Sequence, residues 1–307
     1  MKKLTLIIAT YNRALQVLET LSSVIQQDAD PSLWECIVVN NNSSDDTISR
    51  VSDFIAKNPT FDIRLVTETR QGLSHARNCG MSVATTPLFA IIDDDELIVP
   101  KFISSYINFF DSHPDVAVGG GAIVAVYRSK RPKWISKYTE QPIANPMNLG
   151  DKARPFPRRM IPGGGNMAIR RSAIEKHGAF DPELGRKGSQ LIGGEENNLF
   201  ERLRQGGEQI WWVPGAEMHH LIPDEKLERS YLNRLWFNIG VSHSLRAKIE
   251  EESGANIIVL EREAIKWVAT LLIALLYMVC LAPSKSKYLI LMRYHISRGI
   301  LSTISVR

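Results

Sequence analysis

Through its first ~125 residues the chain alternates between short runs rich in β-branched residues and longer segments with helical spacing. The runs read LTLIIA, ECIVV, IRLV, PLFAII and VAVGGGAIVAV. Between the first four lie Ala14–Gln27, Asp45–Lys57 and Leu73–Ala84, and Pro100–Phe110 precedes the last. Strand, helix, strand, helix implies crossover units, so the expected class is α/β with a mostly parallel central sheet flanked by helices. Ser43-Ser44-Asp45-Asp46-Thr47 supply N-cap residues and early acids for the second helix.

An open parallel sheet carries its ligand at the C-terminal ends of its strands. Three polar clusters follow such ends: Thr10-Tyr11-Asn12-Arg13, Asn40-Asn41-Asn42-Ser43 and Asp93-Asp94-Asp95. The last belongs to AIIDDDE, four adjacent carboxylates after an apolar run. Side-by-side carboxylates stay ionised when a divalent cation neutralises them, and Mg²⁺ or Mn²⁺ takes oxygen ligands from one or two carboxylates and a diphosphate. The plainer reading is a solvated acidic turn before the helix near Pro100. Further along, GGEE places Glu195 and Glu196 at a helix N-terminus. A carboxylate there can serve as a general base beside glycines that leave room for a substrate, or it can be ordinary helix-start chemistry. His219-His220 could give the metal one imidazole ligand or be structural.

The remainder narrows the class. Residues 128 to 162 are basic, Pro-rich and weakly periodic, an excursion expected to lie over the site. IPGGGNMAIRRSAIEKHGAF reads as a glycine run, a strand and a helix; GGEENNLFERLRQGG as a helix with a glycine stop; QIWWVP and AEMHHLIP as short strands; and the chain from Leu227 onward as helical. A formal charge of +4 over 307 residues gives no reason to invoke nucleic acid. Cys36, Cys79 and Cys280 are widely spaced, which fits reduced thiols in a cytoplasmic protein. LTLIIAT, with Tyr-Asn-Arg directly after it, reads as a first strand rather than a signal peptide.

Taken in order, TYNR, VVNNNSSDDT, QGLSHARNCG, IIDDDELIVP, GGGNMAIRRSAIEKHGAFDPELG, GGEENNLFERLRQGG and VPGAEMHH resemble the family 2 glycosyltransferases. The resemblance covers most of the first ~222 residues and implies a GT-A fold, Rossmann-like, with a helical C-terminal extension. It divides the chain into a transferase domain, 1–225, with a nucleotide-sugar-binding half (1–127) and an acceptor half (128–225), and an extension, 226–307. It implies that Thr10, Tyr11, Arg13 and Arg77 lie near the nucleotide sugar, that Asp93 and Asp94 contact it, and that Asp95, with Asp93 and His220, holds Mg²⁺ or Mn²⁺. Asn40 and Asn41 stand where such enzymes carry an acid that contacts the base; asparagine can still accept from uracil N3–H. Glu196 matches the general base, usually an aspartate, with Glu195 as fallback.

The expected activity is inverting transfer of one sugar from a nucleoside-diphosphate sugar, UDP first among them, to a hydroxyl of a glycan or lipid-linked acceptor in surface or exopolysaccharide synthesis. Processive members carry Gln-x-x-Arg-Trp, which YLNRLW does not match. A non-catalytic nucleotide-sugar or glycan binder on the same scaffold is the alternative, although a binder needs no base. A nucleotidyltransferase would carry a glycine-rich loop near the first strand, and IIATYNR has none. Trp134 and Tyr138 in the excursion either stack on a sugar ring or pack the excursion itself.

Trp267–Ala282 carries no charge but is short of the ~20 apolar residues of a spanning helix, and the basic amphipathic segment after it suits the inner face of an anionic membrane. A buried helix or a homodimer interface would place the same residues differently.

Overall fold

A computed structural model describes residues 1–186, 193–250 and 255–304. In chain order it contains β1 (Leu4–Thr10), α1 (Ala14–Val24), β2 (Trp34–Asn40), α2 (Thr47–Lys57), β3 (Ile63–Thr67), α3 (Leu73–Val83), β4 (Leu88–Asp93), β5 (Glu96–Ile98), α4 (Phe102–Ser112), β6 (Val116–Gly120) and β7 (Ile123–Tyr127). There follow α5 (Lys137–Ala144), β8 (Arg154–Pro155), β9 (Met167–Arg170), α6 (Arg171–His177), α7 (Glu195–Gln205), β10 (Gln209–Trp212), β11 (Met218–Ile222), α8 (Arg229–Glu250), α9 (Ala255–Val279) and α10 (Pro283–Ile304). The described residues form two compact units: those within 1–126, 146–186 and 195–221 in the first, and those within 127–145, 193–194, 222–250 and 255–304 in the second. The basic excursion after β7 is thus divided: its part through Asn145 groups with the C-terminal helices and the part from Pro146 with the first unit.

The first unit is built on a sheet of order β3-β2-β1-β4-β9-β6-β10-β8. β1 runs parallel to β2 and β4, β2 parallel to β3, and β6 parallel to β10, while β9 is antiparallel to both its neighbours. Every residue of β1 and β2 is buried, as expected for strands covered on both faces. Register builds the site edge: Thr10 pairs with Asn40, Asn40 with Thr67, and Ala9 with Asp93. The three polar clusters therefore emerge side by side.

VAVGGGAIVAV is two strands rather than one. β6 stays in the large sheet, whereas β7 joins β5 and β11 in a second sheet of order β5-β11-β7. The break falls at Gly121, where a Cβ would lie 1.8 Å from the Ala216 carbonyl oxygen. Only glycine lets the backbones approach this closely. Asn166 ties the same junction, donating to the Ala122 and Ala216 carbonyls at 2.9 and 2.8 Å and accepting from the Tyr106 hydroxyl at 2.6 Å.

In the second unit α8 and α10 cross closely. A Cβ at Gly240 or at Gly299 would each lie 2.0 Å from a carbonyl oxygen of the opposite helix. α9 and α10 form a hairpin through Cys280–Ala282, with Leu281 in the left-handed region at φ 55°. Trp134 stacks on Tyr288 of α10 at 4.2 Å, so this ring packs the excursion against a helix. Among the described residues no helix is long and apolar enough to cross a membrane. The three cysteines are free, and Cys36 is buried inside β2. The basic residue Arg307 lies outside the described residues.

α3 packs against β1 and β2 through Gly80, where a Cβ would stand 2.5 Å from Ile7 Cγ2 and 3.2 Å from Val39 Cγ2. Helix propensity alone favours Gly80→Ala by ~1 kcal/mol, whereas overpacking a β-branched core costs about 1–3 kcal/mol. The expected net result is a loss of stability read as a lower urea midpoint. A raised midpoint would show that the helix–sheet spacing has slack.

Candidate active site

The four adjacent carboxylates of AIIDDDE do not face one another unpaired. β4 ends at Asp93 and β5 begins at Glu96, so the chain turns through Asp94-Asp95 and sends the side chains to different partners. Asp93 Oδ1 accepts from Arg77 Nη2 at 3.0 Å. Asp94 and Asp95 share the Nη1 of Arg13, each at 2.9 Å. Glu96 turns inward, is buried, and accepts from the backbone N–H of Asp93 at 2.8 Å. Burial, with Asp93 and Asp95 nearby, pushes the Glu96 carboxyl well above the ordinary glutamate range, and its hydrogen bond to Asp93 N pins the turn. Burial also raises Asp94, to about 6, against the pull of Arg13 and with the push of Asp95.

Arg77 is the centre of the arrangement. It comes from α3, is almost completely buried, and lies over the Phe180 ring at 5.4 Å. Beyond Asp93, its Nη1 donates to Glu196 at 3.0 Å and Glu195 at 3.3 Å, and its Nη2 donates to the Gly164 carbonyl at 3.1 Å. Burial works against a charged guanidinium, but Asp93, Glu196 and Glu195 more than offset it and Arg77 stays a cation. One side chain thus joins the strand-end carboxylates to the first turn of α7.

The glycine run makes room for this. A Cβ on Gly164 would lie 1.9 Å from Glu196 Oε1, and one on Gly165 would lie 1.9 Å from Glu96 Oε1. The two glutamates of α7 differ. Glu195 is buried, with Oε2 lacking a hydrogen-bond partner among the described residues, whereas the Glu196 side chain keeps 19% of its surface. Burial and the neighbouring charge of Glu196 raise Glu195 to about 8 despite Arg77. Desolvation outweighs the helix N-terminus for Glu195, which is neutral near pH 7, and Glu196 is left as the better placed carboxylate.

Asp95 and His220 approach each other across the second sheet. His220 Nε2 lies 3.8 Å from Asp95 Oδ1, because β5 and β11 pair with His220 opposite Glu96. An oxygen and an imidazole donor at that spacing fit a shared Mg²⁺ or Mn²⁺. Among the described residues no three His, Cys, Asp or Glu side chains form a ligand set, so the remaining oxygens would come from substrate. Asp93 is the most exposed of the three aspartates, at 36% of its side chain. His219 pairs with Glu217 at 3.0 Å.

At the neighbouring strand end Thr10 is buried at the end of β1 and Tyr11 is exposed. Asn41 is committed internally: its amide donates to the Glu68 and Arg70 carbonyls at 3.1 and 2.8 Å, and its oxygen accepts from Gly72 N at 2.8 Å. Asn40 accepts from Ser43 N at 3.1 Å. These side chains shape the two loops. Glu96 and Gly164-Gly165 were not singled out as functional in the sequence; the signal available was a fourth acid following three and a glycine run before Asn166.

With this geometry in hand, the comparisons are consistent. The family model described as Glycosyl transferase family 2 matches residues 5–178. The glucosyl-dolichyl phosphate glucuronosyltransferase of Haloferax volcanii is 26% identical over 237 residues, 75% of this chain and 72% of that protein. The succinoglycan biosynthesis protein ExoM of Rhizobium meliloti is 24% identical over 242 residues, 77% of this chain and 72% of its own. The Pyrobaculum calidifontis mannosyltransferase PcManGT, solved with GDP-Man and Mn²⁺, superposes with TM-score 0.63 at 19% identity, covering 99% of this chain and 87% of that one. That likeness shows the GT-A fold.

Glu195 holds its proton more tightly folded than unfolded, its value rising from 4.5 to about 8. The stabilisation this gives is full below the lower value and is lost as pH rises through the higher one. Asp94 acts in the same direction at lower pH. Wild-type Tm is expected to fall between about pH 5 and pH 9, and Glu195→Gln, which cannot ionise, should flatten the alkaline part of that fall. Superimposable profiles would mean that Glu195 is ionised in the folded chain.

Proposed function

The chain belongs to glycosyl transferase family 2, and on that premise we propose that it is an inverting, metal-dependent, non-processive transferase. It moves one hexosyl-type unit from a nucleoside-diphosphate sugar to a hydroxyl of a glycan or lipid-linked acceptor. The observation that carries this reading is the pairing of two carboxylate sets through one buried guanidinium, Asp93 at the strand ends and Glu196 at α7. A diphosphate leaving group needs the first and an acceptor hydroxyl the second.

In this reading Glu196 takes the proton of the acceptor hydroxyl. The oxygen lone pair attacks the anomeric carbon from the face opposite the diphosphate, the carbon–oxygen bond to the diphosphate breaks, and the configuration inverts. Arg77 fixes the position of Glu196, and Arg13 holds Asp94 and Asp95 side by side. Asp95 and His220, with Asp93 nearby on the same strand end, would hold Mg²⁺ or Mn²⁺, which supplies positive charge to the diphosphate oxygens. Tyr11, Thr10 and the loop after β2 would border the nucleotide. Because the Asn40 and Asn41 side chains hold the loops, uridine selection falls to backbone groups there or to loop movement.

The lipid-linked sugar named in the Haloferax volcanii relative and the succinoglycan of the Rhizobium meliloti relative support a lipid-linked or polysaccharide acceptor. Such acceptors would bring the chain to the inner face of a membrane.

Nucleoside-diphosphate sugars screened with Mn²⁺ or Mg²⁺ test this. Glu196→Gln is expected to lower kcat by about 10²–10⁴-fold while donor affinity stays within a few-fold. Asp95→Ala should abolish metal-dependent donor binding, and the product anomer, read by NMR, should be opposite to the donor. A retained configuration contradicts the direct displacement. Wild-type rates in Glu196→Gln contradict the base, and donor binding without turnover brings the non-catalytic reading forward.

A further inference from the structure

Among the described residues, the second unit exposes an apolar face along α9. α9 buries Val259, Glu263, Thr270 and Ala274, a single narrow stripe. The stripe is held to α10 by Trp267 Nε1 to Ser297 Oγ at 2.8 Å and by Arg293 to Glu263 at 3.2 Å. Beyond Trp267 the helix carries no charge, and much of that part is open to solvent: Leu271, Leu272, Leu275, Leu276 and Val279 are each more than half exposed, and Leu281 at the hairpin tip is 90% exposed. Soluble monomers scatter exposed apolar residues singly and rarely gather them along one helix, so this face has an occupant.

Charge identifies the occupant. From Ala264 to Arg307 the sequence has no Asp or Glu and carries Lys266, Lys285, Lys287, Arg293, Arg298 and Arg307. The last acid before that stretch, Glu263, is buried against Arg293. α10 presents Lys287, Ile290, Tyr294, Arg298 and Leu301 at helical spacing, all exposed, mixing cations with an aromatic and apolar groups. A second copy would place these cations against like charges. An anionic headgroup layer over an acyl boundary matches both the cations and the leucines. The charge-free stretch of α9 is short for crossing, which fits a hairpin lying in the interface.

We propose that the α9–α10 hairpin docks on a bilayer leaflet bearing anionic phospholipids, with the exposed face of α9 sunk to the acyl boundary and Lys285 and Lys287 among the headgroups. This does not rest on the sugar-transfer reading, since it uses none of the same residues. The full chain would be tested by flotation with vesicles of phosphatidylcholine alone and of phosphatidylcholine with phosphatidylglycerol, at low and high salt, with light scattering for oligomeric state. Binding is expected to the anionic vesicles and to weaken with salt. Leu272→Glu with Leu276→Glu should lower it at least ~10-fold. Lys285→Glu with Lys287→Glu should remove most of the anionic preference, each lost cation accounting for roughly five-fold. Far-UV circular dichroism and thermal melting show whether the variants fold, and Leu272→Ser with Leu276→Ser gives a milder pair should the glutamates disturb the hairpin. A monodisperse monomer that ignores both vesicle types overturns the proposal. So does a dimer that ignores vesicles and is dissociated by the leucine substitutions, which would make the face a homodimer interface.

Discussion

A buried guanidinium holds this site together. Arg77 sits where solvent cannot screen it and where its charge must be matched by protein groups alone. Asp93 and Glu196 match it, Glu195 accepts a further hydrogen bond from it, and these groups come from β4 and α7, which are about a hundred residues apart in the chain. Removing either side would leave uncompensated charge in the interior, so the ion cluster fixes the relative placement of the strand edge and the helix start. Chemistry that needs groups on opposite sides of a reacting carbon depends on such a placement.

The surrounding glycines make the cluster sterically admissible. Gly164 and Gly165 stand where any side chain would displace Glu196 or Glu96, and Gly121 lets the chain leave one sheet for the other beside the Ala216 carbonyl. Four carboxylates in sequence are tolerated because they are divided among separate surroundings: Asp93 on Arg77, Asp94 and Asp95 on Arg13, and Glu96 buried with its carboxyl pushed well above the ordinary range. Asp95 keeps an imidazole, His220, within reach. A divalent ion with a diphosphate would extend this neutralisation rather than create it.

Much of the fold was legible because period and position agree in this chain. Alternating texture located the strands and helices of the parallel half, and strand-end clusters came together because parallel register leaves no other choice for Thr10, Asn40 and Asp93. What was not legible depended on contacts distant in sequence. The apolar run at VAVGGGAIVAV hid a change of sheet that only the approach of Ala216 explains. Asn41 reads as a base contact in the motif, yet its amide is used on the loop after β3. Trp134 could equally have faced a sugar; Tyr288, 154 positions later, takes that face. Glu195 and Glu196 look interchangeable on a helix start, and only burial separates them. The charge-free stretch of α9 was visible, but not that one narrow stripe would pack and leave the leucines outside.

The central claim is that one guanidinium couples the carboxylate at the end of β4 to the carboxylate in the first turn of α7. Double-mutant cycles in urea measure it directly, combining Arg77→Met with Asp93→Asn and, separately, with Glu196→Gln. The account predicts a coupling of about 1–3 kcal/mol in both cycles, since each single change strands a charge that the double change removes. Additivity within ~0.5 kcal/mol in either cycle would contradict it, and the two carboxylate sets would then be neighbours without a shared anchor.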